Sequence, residues 1–249
     1  MSAEAAVTED ALLGGQVRLR QPAAGYRVAI DPVVLAAAVP AGEGETVLDV
    51  GAGVGAASLC LAARATECRV WGIEIQRDLV RLAAENVALN GFEGRVEVMM
   101  GDLTQAPPRL AAGSFQHVMS NPPYLDADSG NLSPNDDKAR ATVETQGDLA
   151  EWVDFCVMMA KHKGSVTFIH RADRLDELLA HLRAKTGGAA VYPLWPTADR
   201  TRPAKRVIIQ ATKGGAGPLR LLPGMILHDG KGYTPEAEAI LRHGAGLTL

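Results

Sequence analysis

Aromatic residues are scarce in this chain, 4% of 249 residues, so Ala, Val and Leu must fill most of the interior. Cysteine is scarcer. Cys60, Cys68 and Cys156 form an odd set without Cys-x-x-Cys spacing. That excludes a disulfide framework and a cysteine-built zinc or other metal site, and it points to a reduced, cytoplasmic setting. No apolar run approaches the roughly 18 residues a membrane span needs. The acidic start (Glu4, Glu9, Asp10) lacks the basic flank and apolar stretch of a signal peptide. Overall basicity is also missing: the net charge is −4, so contact with nucleic acid has to come from a local patch. What remains is ordinary globular composition, 47% hydrophobic and 22% charged, sufficient for a sizeable core.

One stretch organises the rest. Phe115 to Ser120 suits a buried strand, and it stops abruptly at Asn121-Pro122-Pro123-Tyr124. The prolines have no N–H to continue a ladder and hold the residue before them extended. Asn121 and Tyr124 are thus presented on a stiff turn at a strand's carboxyl end, where open α/β sheets bind ligands. An amide oxygen, a proline-locked carbonyl and an aromatic face together suit a flat group bearing –NH2.

Upstream, strands expected at Thr46–Val50, Arg69–Ile75 and Val96–Met100 alternate with helical patterns at 54–64 and 76–90, which implies βαβ units and a mostly parallel sheet. Asp31 before Pro32 reads as an N-cap ahead of a first-turn proline, opening a helix to Val39. Residues 1–15 read as a loosely held leader, followed by a short strand at Val17–Leu19. Residues 125–147 are a long polar loop of the kind that serves function. Further downstream the pattern gives helices at 149–160, 175–182 and 235–242, with strands at 165–170, 189–194 and 206–212 and short strands in the Gly- and Pro-punctuated tail from Gly214. No repeat or domain boundary is visible, so the expectation is a single domain over 1–249, with 1–40 as an N-terminal extension and 41–249 as the core.

Asp49-Val50-Gly51-Ala52-Gly53-Val54-Gly55 places three glycines where a strand turns into a helix. Glycine permits the tight turn and a ligand's close approach, and helix-start N–H groups can meet a polar ligand end. The spacing Gly51-x-Gly53-x-x-Ala56 also satisfies the loose dinucleotide fingerprint, so by itself it leaves NAD and other nucleosides open. Glu74, ending the next strand, is placed to accept ribose hydroxyls, and Asp102, ending the third, to accept an adenine amine.

These motifs resemble the class I S-adenosylmethionine-dependent methyltransferases: Asp49 to Gly55 as cofactor loop, Glu74 and Asp102 as ribose and adenine acids, and Asn121 to Tyr124 as the signature of amino-group methylation. The block Gln21-Pro22, Tyr26-Arg27 and Ile30-Asp31-Pro32-Val33-Val34-Leu35 is similar to that of the bacterial tRNA(Val) adenine-37 N6-methyltransferase group. Lys205-Arg206-Val207 with Lys213-Gly214-Gly215 is similar to its C-terminal block. The resemblance implies an α/β Rossmann-like fold, a seven-stranded, mostly parallel sheet with one antiparallel strand and helices on both faces. It also implies S-adenosylmethionine as cofactor and catalysis by Asn121, Pro122 and Tyr124, with Asn121 also beside the cofactor. The substrate expected is a base amine, adenine in tRNA.

Charge distribution agrees with an RNA partner. Residues 161–213 carry eleven Lys or Arg against four acids. Arg200, Arg202, Lys205 and Arg206 lie close enough together to be phosphate candidates, with Tyr26, Arg27 and Asp31 as further substrate contacts. Other readings use the same residues: N5-methylation of a protein glutamine, guanine-N2 methylation of ribosomal RNA, a non-catalytic cofactor sensor, or a nicotinamide dehydrogenase. Oligomeric state has no sequence signal.

Overall fold

The computed structural model describes residues 6–24, 27–103, 107–123, 149–199, 201–230 and 232–249. Tyr26, Tyr124, Arg200 and the 125–147 loop lie outside them.

Alternating apolar residues drive the sheet. Val118, Phe168, Val207 and Ile209 point to one face, and Met119, Ile169 and Ile208 to the other. Thr46–Val50 (β3), Arg69–Glu74 (β4), Val96–Met100 (β5), Phe115–Ser120 (β6) and Ala160–Arg171 (β7) are mutually parallel, in the order β5-β4-β3-β6-β7. Arg206–Lys213 (β9) enters antiparallel between β7 and Thr186–Thr197 (β8). Two short strands, Arg220–Leu221 (β10) and Met225–His228 (β11), add to β8 and bring this sheet to nine strands among the described residues, two more than the seven expected. All run parallel except β9.

Helices cover both faces. Asp31–Ala38 (α1), Ala56–Arg64 (α2), Arg77–Leu89 (α3) and Pro235–His243 (α6) close one face, and Leu149–Met159 (α4) with Leu175–Arg183 (α5) the other. Thr234 caps α6 by accepting the Ala237 N–H, and Gly244 ends it in a left-handed conformation. Asp31 does not cap α1. It lies inside the first turn, and its carboxylate takes Arg206 Nε–H at 2.8 Å instead.

The N-terminal segment departs from the expected loose leader. Val7–Leu12 (β1) pairs antiparallel with Val17–Pro22 (β2), and Val17, Leu19 and Gln21 are buried. The hairpin reaches the core through two asparagines one turn apart, Asn86 on α3 and Asn90 at its C-terminal cap. Asn90 accepts the Arg18 N–H at 2.8 Å and donates to its carbonyl at 2.7 Å, and Asn86 does the same for Arg20 at 2.7 and 2.9 Å. Side-chain amides thus replace a neighbouring strand. Asn86 is fully buried and also donates to the Val54 carbonyl at 3.0 Å, joining hairpin, helix and glycine loop.

No helix among the described residues is long and apolar enough to cross a membrane. Asn86→Ala strands the Arg20 N–H and two carbonyls, and should cost about 1–3 kcal/mol per group left unpaired. Urea unfolding measures it; a loss under about 0.5 kcal/mol would mean that the hairpin docks by apolar contact alone.

Candidate active site

β3 ends at Val50, and the chain turns at once. The Gly51 and Ala52 N–H groups both donate to the Ile73 carbonyl of β4 at 2.9 Å, so one acceptor folds the loop back onto the neighbouring strand. Gly51 has φ +74°, and a Cβ there would lie 2.7 Å from the Trp152 ring. Gly55, at φ +85°, starts α2.

Gly53 differs. Its Cβ position is open space, and its N–H donates to Glu74 Oε2 at 2.9 Å. Glu74 Oε1 accepts the Gln76 N–H at 2.9 Å. Each carboxylate oxygen therefore keeps a lone pair beyond its backbone bond. Glu74 is buried, and burial raises its pKa despite those N–H bonds. Asp49, the last residue but one of β3, is 2% exposed and accepts the Ser58 hydroxyl at 2.7 Å. Burial is the main cause that pushes its carboxyl up to about 6, with Glu74's charge adding to it.

These groups line one cleft of about 520 Å³. Asp49, Gly51, Gly53 and Glu74 lie on its wall together with Asn121, Pro122 and Pro123 from the end of β6. The parallel register Val50↔Ser120 puts the two strand ends side by side, so residues 70 positions apart meet. Gly55 lies just behind the wall at the α2 start. Asp102 follows β5, half-buried, outside the cleft's lining.

Sequence reasoning missed several wall residues. Trp152, from α4, is 5% exposed; its indole N–H donates to Ser120 Oγ at 2.6 Å, and Ser120 donates to the Val50 carbonyl at 2.8 Å. Gln21 is clamped at both ends of its amide: Nε2–H donates to Asp10 at 2.8 Å, and Oε1 accepts the Val28 N–H at 2.9 Å. Pro32, Leu35 and Leu79 give the cleft an apolar side. Gln21, Pro32 and Leu35 belong to the N-terminal block singled out in the sequence, whereas nothing local marks Trp152 or Leu79, which reach the cleft through tertiary packing.

The expected RNA contacts are dispersed differently. Arg27 is exposed and bonded to Asp10 at 2.7 Å and Thr8 at 3.1 Å on the hairpin. Asp31 is buried against Arg206, so those two charges serve each other. Arg202 and Lys205 are exposed.

A parallel sheet with a glycine turn after β3, an acid closing β4 and a motif closing β6 defines a Rossmann-like nucleoside-cofactor enzyme. Residues 27–149 match the methyltransferase small domain family. A tRNA1(Val) (adenine(37)-N6)-methyltransferase from Erwinia tasmaniensis is 32% identical over 196 residues, 74% of each chain. Two solved structures share the fold. Protein Atu636 from Agrobacterium tumefaciens, described as a predicted O-methyltransferase, has a TM-score of 0.73 over 88% of this chain and 99% of its own, at 24% identity. TYW2 from M. jannaschii, in complex with AdoMet, gives 0.56 over 85% and 88%, at 15% identity. The chain belongs to the class I S-adenosylmethionine-dependent methyltransferases, in the family of the Erwinia protein, and S-adenosylmethionine is its cofactor.

The cleft fits that cofactor. The open space over Gly53 is a cradle a side chain would fill, Glu74 has acceptor capacity left for hydroxyls, and two crowded carboxyls favour a cationic ligand. Glu74→Ala removes the acceptor and frees the Gly53 amide, and should weaken S-adenosylmethionine binding by about 1.5–3 kcal/mol. Calorimetry reads this, and unchanged affinity would remove Glu74 from the cofactor site. Asp49 carries a pH signature. Because burial raises its pKa from 3.8 to about 6, its contribution to stability is whole below about pH 4 and lost as pH climbs through 6. Asp49→Asn, which stays neutral, should gain on wild type by about 2–3 kcal/mol over that window in urea titrations of cofactor-free protein. A constant gap would contradict it.

Proposed function

We propose that this methyltransferase modifies an exocyclic base amine in RNA, adenine N6 of a tRNA. One observation carries the reading: Asn121 and Pro122 share a cleft wall with Gly51, Gly53 and Glu74. The name of the Erwinia relative supports the nucleoside and the RNA class.

The chemistry follows from the acceptor. An adenine amine is a weak nucleophile because its lone pair is delocalised into the ring. In this reading Asn121 Oδ1 and the Pro122 carbonyl accept its two hydrogens and favour a pyramidal nitrogen. Bound S-adenosylmethionine supplies an electrophilic methyl group on a sulfonium. As the nitrogen gains positive character, the amide dipole of Asn121 stabilises it, and one N–H proton leaves to water after transfer. Tyr124 supplies the stacking face for the extruded base. Positioning carries the rate, and orientation alone can be worth roughly 7–11 kcal/mol.

A hydroxyl acceptor suits these groups less well, since it offers one hydrogen to two fixed acceptors. That argues against carrying the O-methyltransferase description of Atu636 over to this chain.

Incubation with radiolabelled cofactor and total tRNA, then nucleoside analysis, should yield N6-methyladenosine. Label in guanosine, in ribose or in protein glutamine would replace the reading. Asn121→Ala should lower single-turnover methylation by ~10²–10³ while cofactor affinity stays within about twofold. Near-normal turnover would reduce the motif to a strand-ending turn.

A further inference from the structure

The carboxyl edge of the sheet continues beyond the active cleft. In strand order from β6 it presents Asn121, then Arg171 at the end of β7, Lys205 and Arg206 at the start of β9, and Trp195 near the end of β8. Three interstrand spacings of about 4.8 Å place Trp195 roughly 14 Å along this edge from the methylation motif. A second groove of about 690 Å³ opens there, lined by Trp195, Pro193 and Pro203 with Arg171 and Lys205.

Its aromatic wall is held in place. The Trp195 indole N–H donates to the Pro223 carbonyl at 3.0 Å. Gly224, at φ +77°, lets that turn press in: a Cβ there would lie 2.9 Å from Trp195 Nε1 and 2.2 Å from the Pro193 carbonyl. The polar edge of the ring is thus engaged, and its apolar surface, half-buried, lines the groove. Leu221 on the rim is 73% exposed, an apolar side chain set beside cations.

Charge selects the occupant. Around the groove, Arg171, Arg174, Arg202, Lys205 and Arg206 stand against Asp31, Asp173, Glu177 and Asp199, a small positive excess in a chain of net charge −4. Some of these cations are partnered: Arg171 with Asp173, Arg174 with Glu177, Arg206 with Asp31. Lys205 and Arg202 remain exposed to carry the field outward. A flat aromatic wall, proline faces and rim cations suit a base with its phosphate, since stacking tolerates any base and cations follow the backbone.

We propose that this groove is a second nucleobase subsite, where a base flanking the methylated adenine stacks on Trp195 while Lys205 meets the adjoining phosphate. The RNA strand then runs along the carboxyl edge from β6 to β8. This rests on RNA being the substrate.

The test is a binding cycle on full-length protein with S-adenosylhomocysteine present. Fluorescence anisotropy would follow an RNA stem-loop with a single-stranded adenine, intact or with one abasic nucleotide up to four positions away. Trp195→Leu keeps apolar volume without a ring, and Trp195→Phe restores a ring. At one abasic position wild type should lose about tenfold in affinity, the scale of one stacked base. Trp195→Leu should lose as much on intact RNA and nothing further on that abasic RNA, while Trp195→Phe stays within about threefold of wild type. If Trp195→Leu binds intact RNA like wild type, or if its abasic penalties match wild type at every position, the subsite does not exist. Methylation of the same RNA separates the two readings. Adenine methylation with a flat cycle defeats the groove alone, and an intact cycle without adenine methylation defeats the proposed reaction alone.

Discussion

The relay from Trp152 through Ser120 to the Val50 carbonyl holds the cleft together. Two hydrogen bonds, of 2.6 and 2.8 Å, join α4, the last residue of β6 and the last residue of β3 in one buried chain. The glycine turn begins one residue after Val50, and Asn121 one residue after Ser120. Whatever fixes Val50 against Ser120 therefore fixes the glycine turn against Asn121 and Pro122. The indole does this twice, since its carbon edge also lies where a Gly51 Cβ would be. A larger residue at 51 would displace the ring and with it the donor to Ser120.

Around that relay, the cleft is built to be uncomfortable without a ligand. Asp49 and Glu74 are both nearly buried, both pushed toward the neutral form, and Glu74's charge adds to Asp49's shift. Burial is the main cause of both shifts, and a cation brought beside these carboxyls would favour their charged forms. The Ile73 carbonyl, taking two amides, and the Glu74 carboxylate, taking the Gly53 amide, fix the loop before any ligand arrives. That is preorganisation: fewer groups need ordering on binding.

Much of this was legible in the sequence wherever the signal was local. β3 to β6, the glycine turn, α3 with its Gly91 stop and the Pro-Pro termination follow from periodicity and residues with restricted backbones. What was not legible is non-local. Asn86 and Asn90 look like ordinary helix surface residues until β2 docks on them. Asp31 reads as a helix cap from its neighbours, yet Arg206, 175 residues away, claims its carboxylate. Acidic Val7–Leu12 carries no core pattern, because only its pairing with β2 makes it a strand. The Gly- and Pro-punctuated tail from Gly214 reads as short strands, but that β10 and β11 add to the edge of β8 is set by the fold.

The central claim is that one buried relay sets the glycine turn and the Asn121-Pro122 turn in register. Its most direct test is single-turnover methyl transfer by Trp152→Phe, which keeps a ring beside Gly51 but removes the donor to Ser120. Misplacement of the motif should slow transfer about ten- to a hundredfold, with S-adenosylmethionine affinity within about twofold of wild type. A wild-type transfer rate in a variant that has lost the Ser120 bond would contradict the account.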